Sequence, residues 1–315
     1  MEMTPSDTTI KAHHLADLLA AHAQWLQDPA RGRRCQLTGV TLSEVDLRQA
    51  ALKGACFDRV TFFDADLAMA DLGGSVSDSV DFSKALLTGA DFSQAQLNRA
   101  KFLRSHLSAA HFSEARIDGT NFREARMEGA GFQDAEVADT VFVAALLNGA
   151  LFHGAKLTQC DFSNAKMDGA QFPRVRAQSC RLFGVTGDEV NFRYCRFNDC
   201  DLSGAELGGV KFCNATLQGT RFFNANLTGA DFRDASMGGT DFMGAVLRNV
   251  RMAGAKVFAA DFCSADLTGA RDLTPQQLQQ ARTDDYTILP NGSRGPYNRF
   301  SRAEKPKPAG VRGWI

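Results

Sequence analysis

The chain has 315 residues, 44% apolar and 23% charged, with a formal net charge of −1. These values exclude a disordered polyelectrolyte, and they suit a soluble chain large enough for a sizeable core. No apolar run is long enough to cross a bilayer and Met1–Ile10 carries no signal-peptide pattern, so no membrane insertion is expected and the expected location is cytoplasmic.

Residues 1–34 read as an N-terminal capping helix and linker. Ser6 or Asp7 can cap a helix from about Asp7 to Gln27, and Ile10, Leu15, Leu18, Leu19, Trp25 and Leu26 give it an apolar face. Its expected task is to close the N-terminal end of the repeats that begin at Cys35. His13, His14 and His22 have no Cys or carboxylate at a metal-ligand spacing, so they read as surface or capping residues and no metal is expected.

Residues 35–272 are one repeat of five. At every residue number ending in 2 or 7 from Leu37 to Leu267 the side chain is large and apolar, with 47 such centres and only Ser77, Ala177 and Gly187 failing. Two residues before each centre stands Ala, Val, Ser, Thr or Cys. A helix would spiral these centres around its surface, because five steps turn about 500°. A flat strand would point them alternately to opposite faces. The chain must therefore bend once per repeat, and the fifth residue, often Gly as at Gly89 and Gly129, takes the corner.

A second period fixes the number of corners. Of the nineteen centres ending in 2 from Phe82 to Phe262, sixteen are Phe, whereas among those ending in 7 over the same stretch only Phe197 is. Like stacks on like only if the number of faces is even. Two faces leave no room for a core, so the pattern predicts four faces and twenty residues per coil, about twelve coils in all, with Phe on one opposed pair.

The segments Ala90-Asp91-Phe92-Ser93-Gln94, Ala225-Asn226-Leu227-Thr228-Gly229 and Ala265-Asp266-Leu267-Thr268-Gly269 resemble the pentapeptide-repeat motif A-(D/N)-L-x-x. The resemblance covers about three-quarters of the chain, as the extent of the repeat shows. It implies an all-β solenoid, a right-handed quadrilateral β-helix, to which the sequence adds short α-helical caps at both ends. Departures lie mainly at Val76–Ser79 and between Pro173 and Val190, where the small centres Ala177 and Gly187 predict a bulge or a thinned core.

Residues 273–290 read as a C-terminal cap. Thr274-Pro275-Gln276-Gln277 has the cap residue, the first-turn proline and the Gln of a helix start, and a short helix to about Ala281 should follow. Tyr286, Ile288 and Leu289 can pack on the last coil. Residues 291–315 form a basic, flexible tail in which Arg294, Arg299, Arg302, Lys305, Lys307 and Arg312 face only Glu304. It is read either as solvated or as an arm that orders on a partner through Tyr297, Phe300 and Trp314.

Catalytic chemistry finds no support, and no cofactor is expected: there is no phosphate-cradling loop, zinc-type Cys spacing or nucleophile elbow. The many Asp residues before centres, such as Asp81, Asp91, Asp201 and Asp261, read as bonding nearby backbone. Cys35, Cys160, Cys180, Cys195 and Cys200 point inward as free thiols. Cys56, Cys213 and Cys263 should point outward.

One outward row, a residue after the centre, carries Phe63, Leu103, Val143, Phe183, Phe223 and Met243, with Val141 beside it. Each can either lie over its smaller Ser neighbours or form a partner surface. With Tyr297, Arg299, Phe300, Arg302 and Trp314 of the tail, these are the candidate partner-binding residues. The favoured reading is a non-enzymatic scaffold presenting flat β faces and a basic arm to a protein partner of unknown identity, with a homodimer as one form. One alternative comes from the resemblance: some pentapeptide-repeat proteins mimic DNA and bind type II topoisomerases, which calls for a strongly acidic rod. Another is a secreted or secretion-associated effector. Direct nucleic-acid binding is not expected, since the rod has no basic groove.

Overall fold

A computed structural model of the chain describes residues 12–299 and 301–306, in two compact units, Met1–Asp161 and Phe162–Ile315. In the first unit, helix α1 (Ala12–Gln27) precedes seven three-residue strands. These are β1 (Gln36–Thr38), β2 (Cys56–Asp58), β3 (Val76–Asp78), β4 (Gln96–Asn98), β5 (Arg116–Asp118), β6 (Glu136–Ala138) and β7 (Lys156–Thr158). Each pairs in parallel with the next at an offset of one coil, Gln36 with Cys56 and Glu136 with Lys156. Three further ladders of single bridges run at the same offset, starting at Thr41↔Thr61, Asp46↔Asp66 and Ala51↔Asp71. These four ladders define the first to fourth faces of a quadrilateral β-helix, so the predicted fold and its five-residue side are what form.

The core follows from the alternation. Phe62, Phe82, Phe102, Phe122 and Phe142 stack behind the second face, and Phe92, Phe112, Phe132 and Phe152 behind the fourth. Within a column the rings lie 4.6–5.1 Å apart and nearly parallel. Between columns they meet edge to face, as for Phe112 and Phe122 at 5.8 Å, which suits the aromatic quadrupole. The rung spacing of a parallel sheet, about 4.8 Å, is close to an aromatic stacking distance, so Phe fills its column without a gap.

Corners are made by backbone hydrogen bonds such as Ala50 N–H to Leu47 O, 3.0 Å. The last residue of each side is left-handed whether or not it is Gly, with φ 58° at Glu114 and 55° at Asp134. First-face corners are different. No turn bond closes them at Val60, Val80 or Ala100, and further along a side chain of the following coil reaches the central carbonyl instead. Thr120 Oγ1 donates to Leu97 O at 3.2 Å, and Cys160 Sγ to Val137 O at 3.5 Å. The inward cysteines of this column therefore act as weak donors as well as small apolar groups.

The departure from the repeat at Val76–Ser79 leaves the ladder intact. Strand β3 is in register, with Ser77 between Phe57 and Leu97, and the hydroxyls of Ser75 and Ser77 are buried without partners among the described residues. At the N-terminal end, the start expected near Asp7 lies outside the described residues, while the helix ends at Gln27 as expected. Of the two readings for the histidines, surface or capping, His22 takes the second. It is fully buried, stacks on Trp25 at 5.3 Å and accepts the Cys35 N–H through Nδ1 at 2.9 Å. His14 is exposed, and Leu26 also faces out.

The second unit continues the same plan. Strands β8 (Arg176–Gln178) and β9 (Arg196–Asn198) pair in register, Ala177 beside Phe197, after which the first face keeps only single bridges such as Thr216↔Ser236. The loss of extended strand coincides with hydrogen-bonded corners, Thr220 N–H to Leu217 O at 3.1 Å and Thr240 N–H to Met237 O at 3.2 Å. Gly187 marks a thinned core. A Cβ there would fall 2.9 Å from the Met167 carbonyl carbon, so the main chain itself has drawn into the space a centre side chain would occupy.

Helix α2 (Pro275–Gln280) has the predicted capping box, Gln277 N–H to Thr274 Oγ1 and Thr274 N–H to Gln277 Oε1. Gln277 Nε2 also donates to the carbonyls of Met252 and Ala255, at 3.2 and 2.8 Å, which ties the cap to the last coils. Leu289 packs inward, but Tyr286 does not: it is exposed, because Asp284 turns the chain by accepting the Tyr286 and Thr287 N–H groups. The segment expected to be a flexible tail is instead fastened at several of its described residues. Arg294 bridges Ile288 in antiparallel fashion, Asn291 N–H donates to Ala303 O, and Ala303 and Glu304 are buried.

Candidate interaction surfaces

The described residues hold no group of three or more His, Cys, Asp or Glu arranged to bind a metal, and no helix among them is long and apolar enough to cross a membrane. The concavities are shallow depressions along coil faces, such as that between Arg193, Cys213 and Arg233. The carboxylates that precede centres are occupied with backbone. Asp71 accepts from Gly73 N–H at 2.9 Å, Asp91 from Ser93 at 2.8 Å and Asp261 from Cys263 at 2.9 Å. Each fixes the corner after it.

Asp231 shows how strongly such a group can be held. Burial pushes its carboxyl up, but the Arg233 guanidinium, the Cys213 thiol and the Arg233 backbone N–H outweigh that and hold it at about 2. Arg233 Nη2 lies 2.7 Å away. Cys213, expected to point outward and be easily modified, is instead buried. Its thiol is raised by burial and by the Asp231 carboxylate, with Arg193 acting in the opposite direction.

The outward row on the second face is apolar at alternate rungs, and the serines between are covered. In the first unit Phe63 is exposed with Lys84 Nζ 5.0 Å over its ring, while Leu103, Val141 and Val143 are half-buried. Ser83, between Phe63 and Leu103, is buried. In the second unit Phe183 is 49% exposed, and Phe223 and Met243 are 40% exposed each, with Ser203 buried beneath its larger neighbours. The row thus alternates buried serines with large side chains that keep exposed apolar surface.

Tail candidates are only partly available. Tyr297 is half-buried, with its N–H bonded to Thr283 Oγ1 at 2.9 Å and its hydroxyl donating to Glu304 Oε2 at 3.2 Å. Arg299 and Arg302 are exposed. Phe300 and Trp314 lie outside the described residues. Six exposed large side chains fall outside the predicted row: Leu26, Met69, Leu86, Tyr194, Phe258 and Tyr286. Met69, Tyr194 and Phe258 sit at outward repeat positions other than the one after a second-face centre, and applying the inward rule to every row would have found them.

The chain matches the pentapeptide repeat region over residues 155–222 and the family of pentapeptide repeats (8 copies) in overlapping segments from 33 to 142 and again over 225–262. No protein of curated function matches it in sequence. Among solved structures, it is similar to HetL, a pentapeptide repeat protein involved in heterocyst differentiation regulation from the cyanobacterium Nostoc. That match has 23% identity, covers 86% of this chain and 98% of that one, and has a TM-score of 0.38. It is also similar to Rfr23 from the cyanobacterium Cyanothece (17%, covering 48% and 89%, TM-score 0.28). A third similarity is to QnrB1, a plasmid-mediated fluoroquinolone resistance protein (16%, covering 81% and 94%, TM-score 0.25).

Proposed function

From the premise that the chain belongs to the pentapeptide-repeat family, we propose that it is a non-enzymatic scaffold that holds a protein partner against the second face of its second unit. The observation that carries this is the pair Phe223 and Met243, on neighbouring rungs and each 40% exposed, continued by Phe183 beyond the buried Ser203. Two large apolar side chains side by side on a flat β surface lose water-exposed area when a matching flat surface covers them. The ladder beneath gives them a fixed spacing, so little ordering entropy opposes docking.

A DNA-mimic role asks for uniform acidity, and the charge is instead divided. The first unit has 15 Lys and Arg against 21 Asp and Glu, and the second has 20 against 15. This favours the scaffold over the mimic.

The test is affinity recovery from native extract with the intact chain and with Phe183→Ser/Phe223→Ser. The double variant should fold normally and lose its partner. Truncation after Pro290 is the poorer tool, since it removes the packed Ala303 and Glu304. Undiminished recovery by the double variant would remove the stripe from the argument.

A further inference from the structure

The fourth face carries opposite charge in the two units, and in both most of that charge is uncompensated. In the first unit, from Ala51 to Gly154, its outward charged side chains are Lys53 on the first rung and then Asp71, Asp91, Glu114 and Asp134, with His111 and His153 as the other ionisable groups. Among the described residues none of the four carboxylates has a Lys or Arg within ion-pair distance. Glu114 accepts only from Gln94 Nε2, at 3.1 Å. Elsewhere in the same unit some carboxylates are paired, Asp78 with Arg99 at 2.7 Å, Glu124 with Arg104 at 2.7 Å and Glu136 with Lys156 at 2.6 Å.

In the second unit the same face carries Arg174, Arg193, Lys211, Arg233, Arg251 and Arg271 against Asp231, Asp234 and the exposed Asp272 at its end. Lys211 pairs with Glu189 and Arg233 with Asp231. Arg174, Arg193, Arg251 and Arg271 have no carboxylate partner among the described residues. Arg251 and Arg271 are bridged neighbours on adjacent rungs, an arrangement in which like charges repel. Tyr194, 54% exposed, lies beside Arg193.

We propose that this protein self-associates, the acidic fourth face of the first unit in one copy docking on the basic fourth face of the second unit in another. Both faces are ladders with the same rung spacing of about 4.8 Å, so rows of opposite charge stay in step along the contact. A net charge of −1 places no general repulsion between copies. The contact uses a different face from the apolar stripe and stands independently of the proposed function.

The experiment is sedimentation velocity on the full chain from about 1 to 100 µM, in about 50 and 500 mM NaCl, where screening differs strongly. A concentration-dependent dimer or higher assembly is expected in low salt, with affinity falling about tenfold or more in high salt. Glu114→Arg/Asp134→Arg and Arg251→Glu/Arg271→Glu should each be monomeric, while their mixture should associate because each supplies the charge the other has lost. Phe183→Ser/Phe223→Ser should associate like the parent, which separates this contact from the stripe. A parent that stays monomeric in low salt overturns the proposal, as does association that survives either reversal or that the mixture fails to restore. So does a monomeric parent whose basic face captures heparin or single-stranded nucleic acid, since that assigns the face to a polyanion.

Discussion

His22 Nδ1 accepts the backbone N–H of Cys35 at 2.9 Å, in a site where the imidazole is fully buried and its Nε2 meets no partner among the described residues. An acceptor nitrogen must be unprotonated, so this bond exists only with neutral imidazole. Burial lowers the His22 pKa from 6.5, the Lys53 carbonyl offsets part of that, and Arg34 adds to the lowering. With the folded value below the unfolded one, the contribution to stability is fully present above about pH 6.5 and is lost as pH falls toward the folded value. The end of α1 should therefore loosen on mild acidification. Trp25 fluorescence and hydrogen exchange at Cys35 should both change between about pH 7.5 and 5.5. His22→Asn, which keeps an acceptor but cannot titrate in this range, should abolish the dependence. A profile identical in the variant would show that another group is responsible.

Phe132 is held by Phe112 and Phe152 at 4.7 and 4.6 Å and by Phe122 and Phe142 edge-on at 6.3 and 5.9 Å. Phe132→Ala removes one ring from an unbroken column and should destabilise the first unit by about 3–5 kcal/mol. Because a solenoid coil contacts only its neighbours, the loss should spread to adjacent coils first. In a urea titration the transition should move to lower denaturant, and a change below about 1 kcal/mol would mean that the column relaxes to close the gap.

The solenoid was legible because one rule, large and apolar at each centre and small two residues before it, holds in one register from Cys35 to Ala270 with only Ser77, Ala177 and Gly187 as exceptions. The α2 cap was legible from Thr274 to Gln277 because its chemistry is local. What could not be read depends on neighbours twenty residues away. Cys213 occupies an outward position, yet it is buried, with Arg193 and Arg233 on the rungs either side. Likewise the fastening of residues 291–299 and 301–305 rests on bonds such as Tyr297 N–H to Thr283 Oγ1, which no periodicity signals. The stripe was visible as composition. Its exposure was not, since that depends on how far each Phe leans over the serine beside it.

Ser77 stands where a large apolar centre belongs, between Phe57 and Leu97 on one strand column, and its hydroxyl has no partner among the described residues. A buried unsatisfied hydroxyl is unfavourable by about 1–3 kcal/mol. Ser77→Val removes it, adds apolar volume and suits the strand, so stability should rise by about 1–2 kcal/mol. Thermal unfolding reports the sign directly. A fall would mean that the coil has already closed around the serine and that the added methyl groups overpack it.

Cys263 is the informative thiol among the eight. It is half-exposed, yet burial and the neighbouring Asp261 and Asp284 carboxylates raise its pKa to about 11, with Arg282 acting in the opposite direction. Cys56 is the other half-exposed cysteine, and the remaining six are buried. Near pH 8 a disulfide reagent should modify Cys56 first and Cys263 slower than an unperturbed thiol by about tenfold or more, because only the thiolate attacks. The buried thiols should react only on unfolding. Asp261→Asn keeps an oxygen for the Cys263 N–H, removes one of the charges that disfavours the thiolate and leaves Arg282 Nη1, now 2.9 Å from Asp261 Oδ2, without its ion-pair partner. Both changes lower the thiol pKa, so the variant should react faster at Cys263 alone. Acceleration at Cys56 as well would point to general loosening of the fold, and an unchanged rate would mean that access, not ionisation, limits Cys263.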